Sequence, residues 1–140
     1  MSDTRKTALY CRSARENDAA IGKQAVIMRN YAKKHGFDNL ALYVDNGASG
    51  LRFDRPALNR LEIHMAKRLI GTVMVSDISR LSRNYLDIPK WIDSLRHRGI
   101  AFVSVEDNIT GEMFDEKVIL FQRLCEHFER QESAAVFNGG

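Results

Sequence analysis

Cysteine and proline are scarce here, with two of each in 140 residues. Cys11 and Cys125 lie far apart and have no metal-ligand spacing around them, so they read as buried free thiols rather than a zinc site. Long hydrophobic runs are also missing. Apolar residues make up 44% of the chain, yet no window approaches the roughly 18 uninterrupted apolar residues of a membrane span. The opening MSDTRKTALY is too polar for a secretion signal, and a soluble, cytoplasmic protein is expected. There is no internal repeat and no low-complexity tract. The glycine-containing DNGASG is neither a dinucleotide fingerprint nor a Walker pattern. The four histidines, His35, His64, His97 and His127, fall on predicted helices, and none sits beside a serine in a triad arrangement.

What is present fits one α/β domain, since 140 residues suffice for a real core. TALYC (7–11), LALYV (40–44), TVMVS (72–76) and AFVSV (101–105) read as short strands. Ile21, Ala25, Met28 and Ala32 recur at helical spacing, predicting a helix over 19–35 that stops at Gly36. Asp54 and Pro56 open a second helix with Leu58, Leu61 and Met65 facing inward, ended by Gly71. A third helix over about 85–98 buries Ile88, Trp91, Ile92 and Leu95, with Pro89 in its first turn. DNITGE then reads as a loop. Strands alternating with helices imply a three-layer α/β/α fold around a mostly parallel sheet of four to five strands.

Residues 113–135 read as one long helix. Phe114, Val118, Phe121, Cys125 and Phe128 are spaced four, three, four, three, a heptad-type seam, widened by Ile119, Leu120 and Leu124. A broad stripe on a charged helix points to a second copy of the chain; completing the core is the plainer reading. The expected organisation is a core over 1–112 and a dimerisation helix over 113–135, with a frayed NGG tail.

The net charge of +3 hides an asymmetry. Residues 1–100 hold 18 Lys/Arg against 10 Asp/Glu, an excess of +8, and residues 101–140 hold 3 against 8, a balance of −5. A basic excess fits a polyanionic partner but is weak evidence alone. The arginine positions say more. Sites in open α/β sheets gather beyond the carboxyl ends of the strands. Arg12, Ser13 and Ala14 follow the first strand. Asp45, Ser49, Gly50 and Arg55 follow the second, and Ser79, Arg80, Ser82 and Arg83 follow the third. Four guanidiniums in one cleft repel one another unless an anion joins them, and the rigid arginine fork matches phosphate oxygens. Arginines can also hold the charge that develops in phosphoryl transfer without a metal. The plainer reading makes each arginine a surface ion pair.

These segments also resemble a known family. YCRSARE (10–16), Gln24 and YAKKHGF (31–37), then YVDNGASG with FDRPALNRL (43–61), VMVSDISRLSRNYLDI (73–88) and GIAFVSVEDNIT (99–110) are similar, in order and spacing, to the catalytic domain of the serine recombinases. This is the resolvase and invertase superfamily, and the motif style is nearest the large serine recombinases and transposases. The resemblance implies cleavage and rejoining of double-stranded DNA without metal or cofactor, through a serine hydroxyl that forms a 5′-phosphoserine link. It implies Arg12, Arg55, Arg80 and Arg83 as phosphate-binding residues, with Gln24, Asp45, Ser49, Gly50, Ser79 and Ser82 in support. It further implies a homodimer and, in a full-length protein, a synaptic tetramer on bacterial DNA.

Three departures stand out. The family nucleophile falls at Ala14, and Ser13 stands one residue early. Alanine cannot attack phosphate, and Ser13 serves only if the loop is reshaped, because adjacent residues of an extended segment point in different directions. Ser79 occupies a position where smaller members carry aspartate, which reads as a subtype marker. The residues after 135 provide no DNA-binding region, so a catalytic fragment or a truncated mobile-element remnant is expected. A non-catalytic DNA-associated or dimerisation module that retains the cleft is the alternative.

Overall fold

The computed structural model describes residues 4–47, 55–81, 87–107 and 109–110. The expected dimer helix lies outside them, with Phe114, Val118, Phe121, Cys125 and Phe128, as do Ser49, Gly50, Asp54, Ser82 and Arg83. The chain runs β1 (Lys6–Ser13), α1 (Asp18–His35), β2 (Leu40–Asn46), α2 (Pro56–Ala66), β3 (Ile70–Val75), a 3-10 turn (Ile78–Arg80), α3 (Asp87–His97), β4 (Ala101–Ser104) and β5 (Ile109–Thr110). The strands form one sheet in the order β2-β1-β3-β4-β5. The first four are parallel, and β5 lies antiparallel to β4.

Alternation along β1 divides the core. Ala8 and Tyr10 face one side, with Leu61 and Met65 of α2 and Ile88, Ile92 and Leu95 of α3. Leu9 and Cys11 face the other, with Met28 and Ala32 of α1. The sheet is thus covered on both faces, the three-layer arrangement that the strand–helix alternation predicted. Burial pushes the Cys11 thiol up to about 11, against the pull of Arg80 and Arg29. Cys11 is therefore an inert packing residue rather than a nucleophile.

The structure shifts several boundaries. β1 continues through Arg12 and Ser13, which pair with Asp45 and Asn46 of β2, so these residues end a strand and do not open a loop. Gly71 does not stop α2. It lies within β3, while the helix ends at Ala66 and the chain turns at Arg68, with φ of 61°. The expected DNITGE loop contributes Ile109 and Thr110 to the edge strand β5.

The two described α1 glycines are opposites. Gly36 takes φ of 79° and sends its N–H back to the Ala32 carbonyl, a left-handed cap that suits glycine. Gly22 lies mid-helix with open space where a Cβ would stand. Gly36→Ala is expected to lower stability by about 1 kcal/mol, and Gly22→Ala to raise it by about 0.5–1 kcal/mol. Urea unfolding of both variants checks this, and equal signs would contradict the cap.

Candidate functional site

The strand order creates a crevice at one place. From β1 the chain crosses to β2 on one side, and from β3 it crosses to β4 on the other, so the connections diverge beyond the carboxyl ends of β1 and β3. Such switch points are where open α/β sheets bind ligands. Arg12 lies at the end of β1, and the Ile78–Arg80 turn follows β3.

Arg12 shares the Tyr10 face by alternation. Its Nε donates to the Arg80 carbonyl at 2.9 Å and its Nη2 to the Ser79 carbonyl at 2.8 Å. The side chain of Arg55, at the N-cap of α2, donates through Nη1 to the Leu81 carbonyl. Arg80 returns a bond from Nη1 to the Arg12 carbonyl at 3.3 Å. Three consecutive carbonyls, 79 to 81, thus gather two arginines, and the third arginine belongs to the same turn. Arg12 and Arg55 are 5% and 4% exposed, whereas the Arg80 side chain is 31% exposed and the most open of the three. Burying a guanidinium costs several kcal/mol. Charge-assisted bonds at about 1.5–3 kcal/mol each offset much of that.

Four further side chains hold this arrangement. Gln24 of α1 accepts from the Arg12 N–H at 3.0 Å and donates to the Arg12 carbonyl at 2.9 Å. Its amide replaces the ladder partner that β1 loses once β3 has ended. Asp45 is 4% exposed and accepts from Tyr10 Oη at 2.7 Å, Ala57 N at 2.8 Å and Leu58 N at 3.1 Å. It therefore caps α2 from the neighbouring strand and fixes the turn that carries Arg55. Asp77 caps the 3-10 turn, accepting from Ser79 N and Oγ and from Arg80 Nε at 3.2 Å. Behind it, Asp107 accepts from Ile78 N at 2.8 Å and Ser104 Oγ at 2.6 Å.

Ser13 takes a different direction. It belongs to the Leu9 and Cys11 face by alternation, and its hydroxyl donates to the Arg15 carbonyl. Ala14 follows on the exposed surface. Tyr10, Asp77 and Asp107 were missed by sequence reasoning. Only Tyr10 left a usable signal, two residues before Arg12 and hence on its face.

Tyr10 ionises far above its ordinary range, first because it is buried and then because it donates to the Asp45 carboxylate. The folded state holds that proton more tightly than the unfolded state does. The resulting stability is present below the ordinary tyrosine value near 10 and is lost as pH rises above it. Tyr10→Phe is expected to cost about 1 kcal/mol at neutral pH and to flatten the alkaline loss. Asp45→Asn places an amide N–H₂ against donors and is expected to cost about 2–3 kcal/mol. Denaturant melts at pH 7 and 11 check both; an Asp45→Asn cost below that of Tyr10→Phe would contradict the capping role.

The family pattern "Resolvase, N terminal domain" matches residues 7–136. A putative DNA recombinase of Bacillus subtilis is 36% identical over 124 residues, covering 88% of this chain and 25% of that protein, so the chain spans about a quarter of its relative's length. The N-terminal catalytic domain of TP901-1 integrase superposes with a TM-score of 0.76 at 28% identity, over 92% of this chain and 99% of that one. A resolvase family site-specific recombinase from Streptococcus pneumoniae shares the fold, with a TM-score of 0.72 at 21% identity over 96% and 95% of the two chains. The chain belongs to the resolvase N-terminal domain family, the catalytic domains of the serine recombinases.

Proposed function

We propose that this chain is the catalytic domain of a site-specific DNA recombinase, and that with Ala14 this form grips the scissile phosphate without attacking it. The observation that carries the reading is the convergence of Arg12 and Arg55 on the carbonyls of the 79–81 turn, which itself carries Arg80 back to the Arg12 carbonyl, at the switch point. Arg83 lies outside the described residues and joins this proposal through the family resemblance alone. Guanidiniums already held in place lose little freedom when a phosphodiester arrives, and they stabilise the charge that grows on its oxygens.

In a form with serine at position 14, its hydroxyl oxygen attacks phosphorus and releases its proton. A new oxygen–phosphorus bond forms, the bond to the 3′-oxygen breaks, and that oxygen leaves as a hydroxyl after taking up a proton. The result is a 5′-phosphoserine link, and religation runs the step backwards. Duplex DNA is the substrate, a homodimer through residues 113–135 is the working unit, and four copies form the synapse of the longer protein.

A non-cutting role for this form is favoured by the Ser13 hydroxyl. It is committed to the Arg15 carbonyl, on the strand face opposite Arg12. Displacement of a reacting atom by about 1 Å already costs roughly 10²-fold in rate, and the opposite face is farther than that.

A nicked suicide substrate in the full-length protein tests this. Ala14→Ser is expected to trap covalent protein–DNA, at least about 10²-fold more than the Ala14 form, and Ser13→Ala to change neither. No adduct from Ala14→Ser would remove the cleavage chemistry. An adduct from the Ala14 form that disappears with Ser13→Ala would make Ser13 the nucleophile.

A further inference from the structure

We propose that the end of the sheet opposite the arginine cluster is a second surface for duplex DNA, binding phosphate backbone without reading sequence. The fold brings this end together. The three described helices run between parallel strands, so their C-termini emerge where the strands begin. Hydrogen bonds tie those starts to one another: Thr7 N donates to the Asn39 carbonyl and Lys6 N to the Leu69 carbonyl, both at 2.8 Å, and the Arg5 side chain donates through Nη1 to the Gly99 carbonyl at 3.1 Å. Four strands make this end about 14 Å wide. The six residue steps from Lys6 to Arg12 set it roughly 20 Å from the arginine cluster.

Each helix delivers exposed cations there. α1 ends with Lys33 and Lys34, α2 is followed by Lys67 and Arg68, and α3 ends with Arg96 followed by Arg98. Arg5 and Lys6 add two at the start of β1. Among the described residues the carboxylates nearby are Asp38, Glu62, which pairs with Arg98 at 3.6 Å, and Asp93, which faces His97 at 3.6 Å.

Helix dipoles are the simplest rival explanation, because cations near C-termini are favourable. Each terminus carries only about half a negative charge. Among the described residues, three termini and three carboxylates set against eight cations still leave an excess of about three positive charges. Exposed lysines gain little from single counter-ions. A polyanion with one charge per roughly 1.7 Å gains from each counterion it releases. Lysine ammoniums act as point charges and do not read bases. The proposal goes beyond the function proposed above and does not depend on the arginine cluster.

The test is binding of the 140-residue chain to a fluorescent duplex of arbitrary sequence across a salt series. The combined variant Lys33→Gln, Lys34→Gln, Lys67→Gln is expected to reduce the slope of log affinity against log salt by about 2–3, and to weaken low-salt binding at least about tenfold. The matching Lys→Arg variant keeps both, which separates loss of charge from loss of fold. Arg80→Gln removes at most about one unit of slope and reports separately on the arginine site. An unchanged slope in the triple Gln variant overturns the proposal. So does a variant that binds DNA normally but changes its sedimentation, which makes this face an interface between copies.

Discussion

The carbonyls of Ser79, Arg80 and Leu81 receive guanidinium N–H groups from Arg12 and Arg55, and this exchange organises the carboxyl end of the sheet. It ties the end of β1, the start of α2 and the turn after β3 into one unit. The other contacts serve it. Gln24 holds the Arg12 main chain where the β3 ladder has run out, Asp45 sets the α2 turn beneath Arg55, and Asp77 and Asp107 keep the carbonyl-bearing turn in place. A cluster of cations is costly to assemble, and here main-chain dipoles and carboxylates share that cost.

Under the proposed function, position 14 is where scaffold and reaction separate. Nothing in the arginine arrangement passes through the side chain at 14, so a small exposed residue there leaves the packing alone. The hydroxyl one residue earlier points to the α1 face by strand alternation and donates to the Arg15 carbonyl. The fold and the arginine cluster thus stand with alanine at position 14.

Periodicity made the order of strands and helices legible in the sequence, and the apolar positions of α1, α2 and α3 are those that pack inward. What escaped was set by partners distant in sequence. Arg12 and Ser13 look like loop residues because they are polar, yet the neighbouring β2 extends the strand through them. Gly71 looks like a helix stop but sits in β3. Asp54, the local candidate to open α2, lies outside the described residues, and nothing in the sequence signals that Asp45 of the neighbouring strand caps the helix. Asp77 and Asp107 carry no periodic signal, and only the folded chain gives them a purpose. Arg12, Arg55 and Arg80 were legible as a group because strand ends collect loops from distant segments, and the structure joins them through the turn carbonyls.

Side-chain NMR of the arginine Nε–H groups tests this picture most directly. In the free protein the Arg12 Nε–H is expected to exchange slowly with water, held on the Arg80 carbonyl, while that of exposed Arg15 exchanges fast. Adding a short duplex is expected to shift the Arg12, Arg55 and Arg80 signals together. An Arg12 Nε–H that exchanges as fast as that of Arg15, or DNA that shifts none of the three, would contradict the preassembled phosphate site.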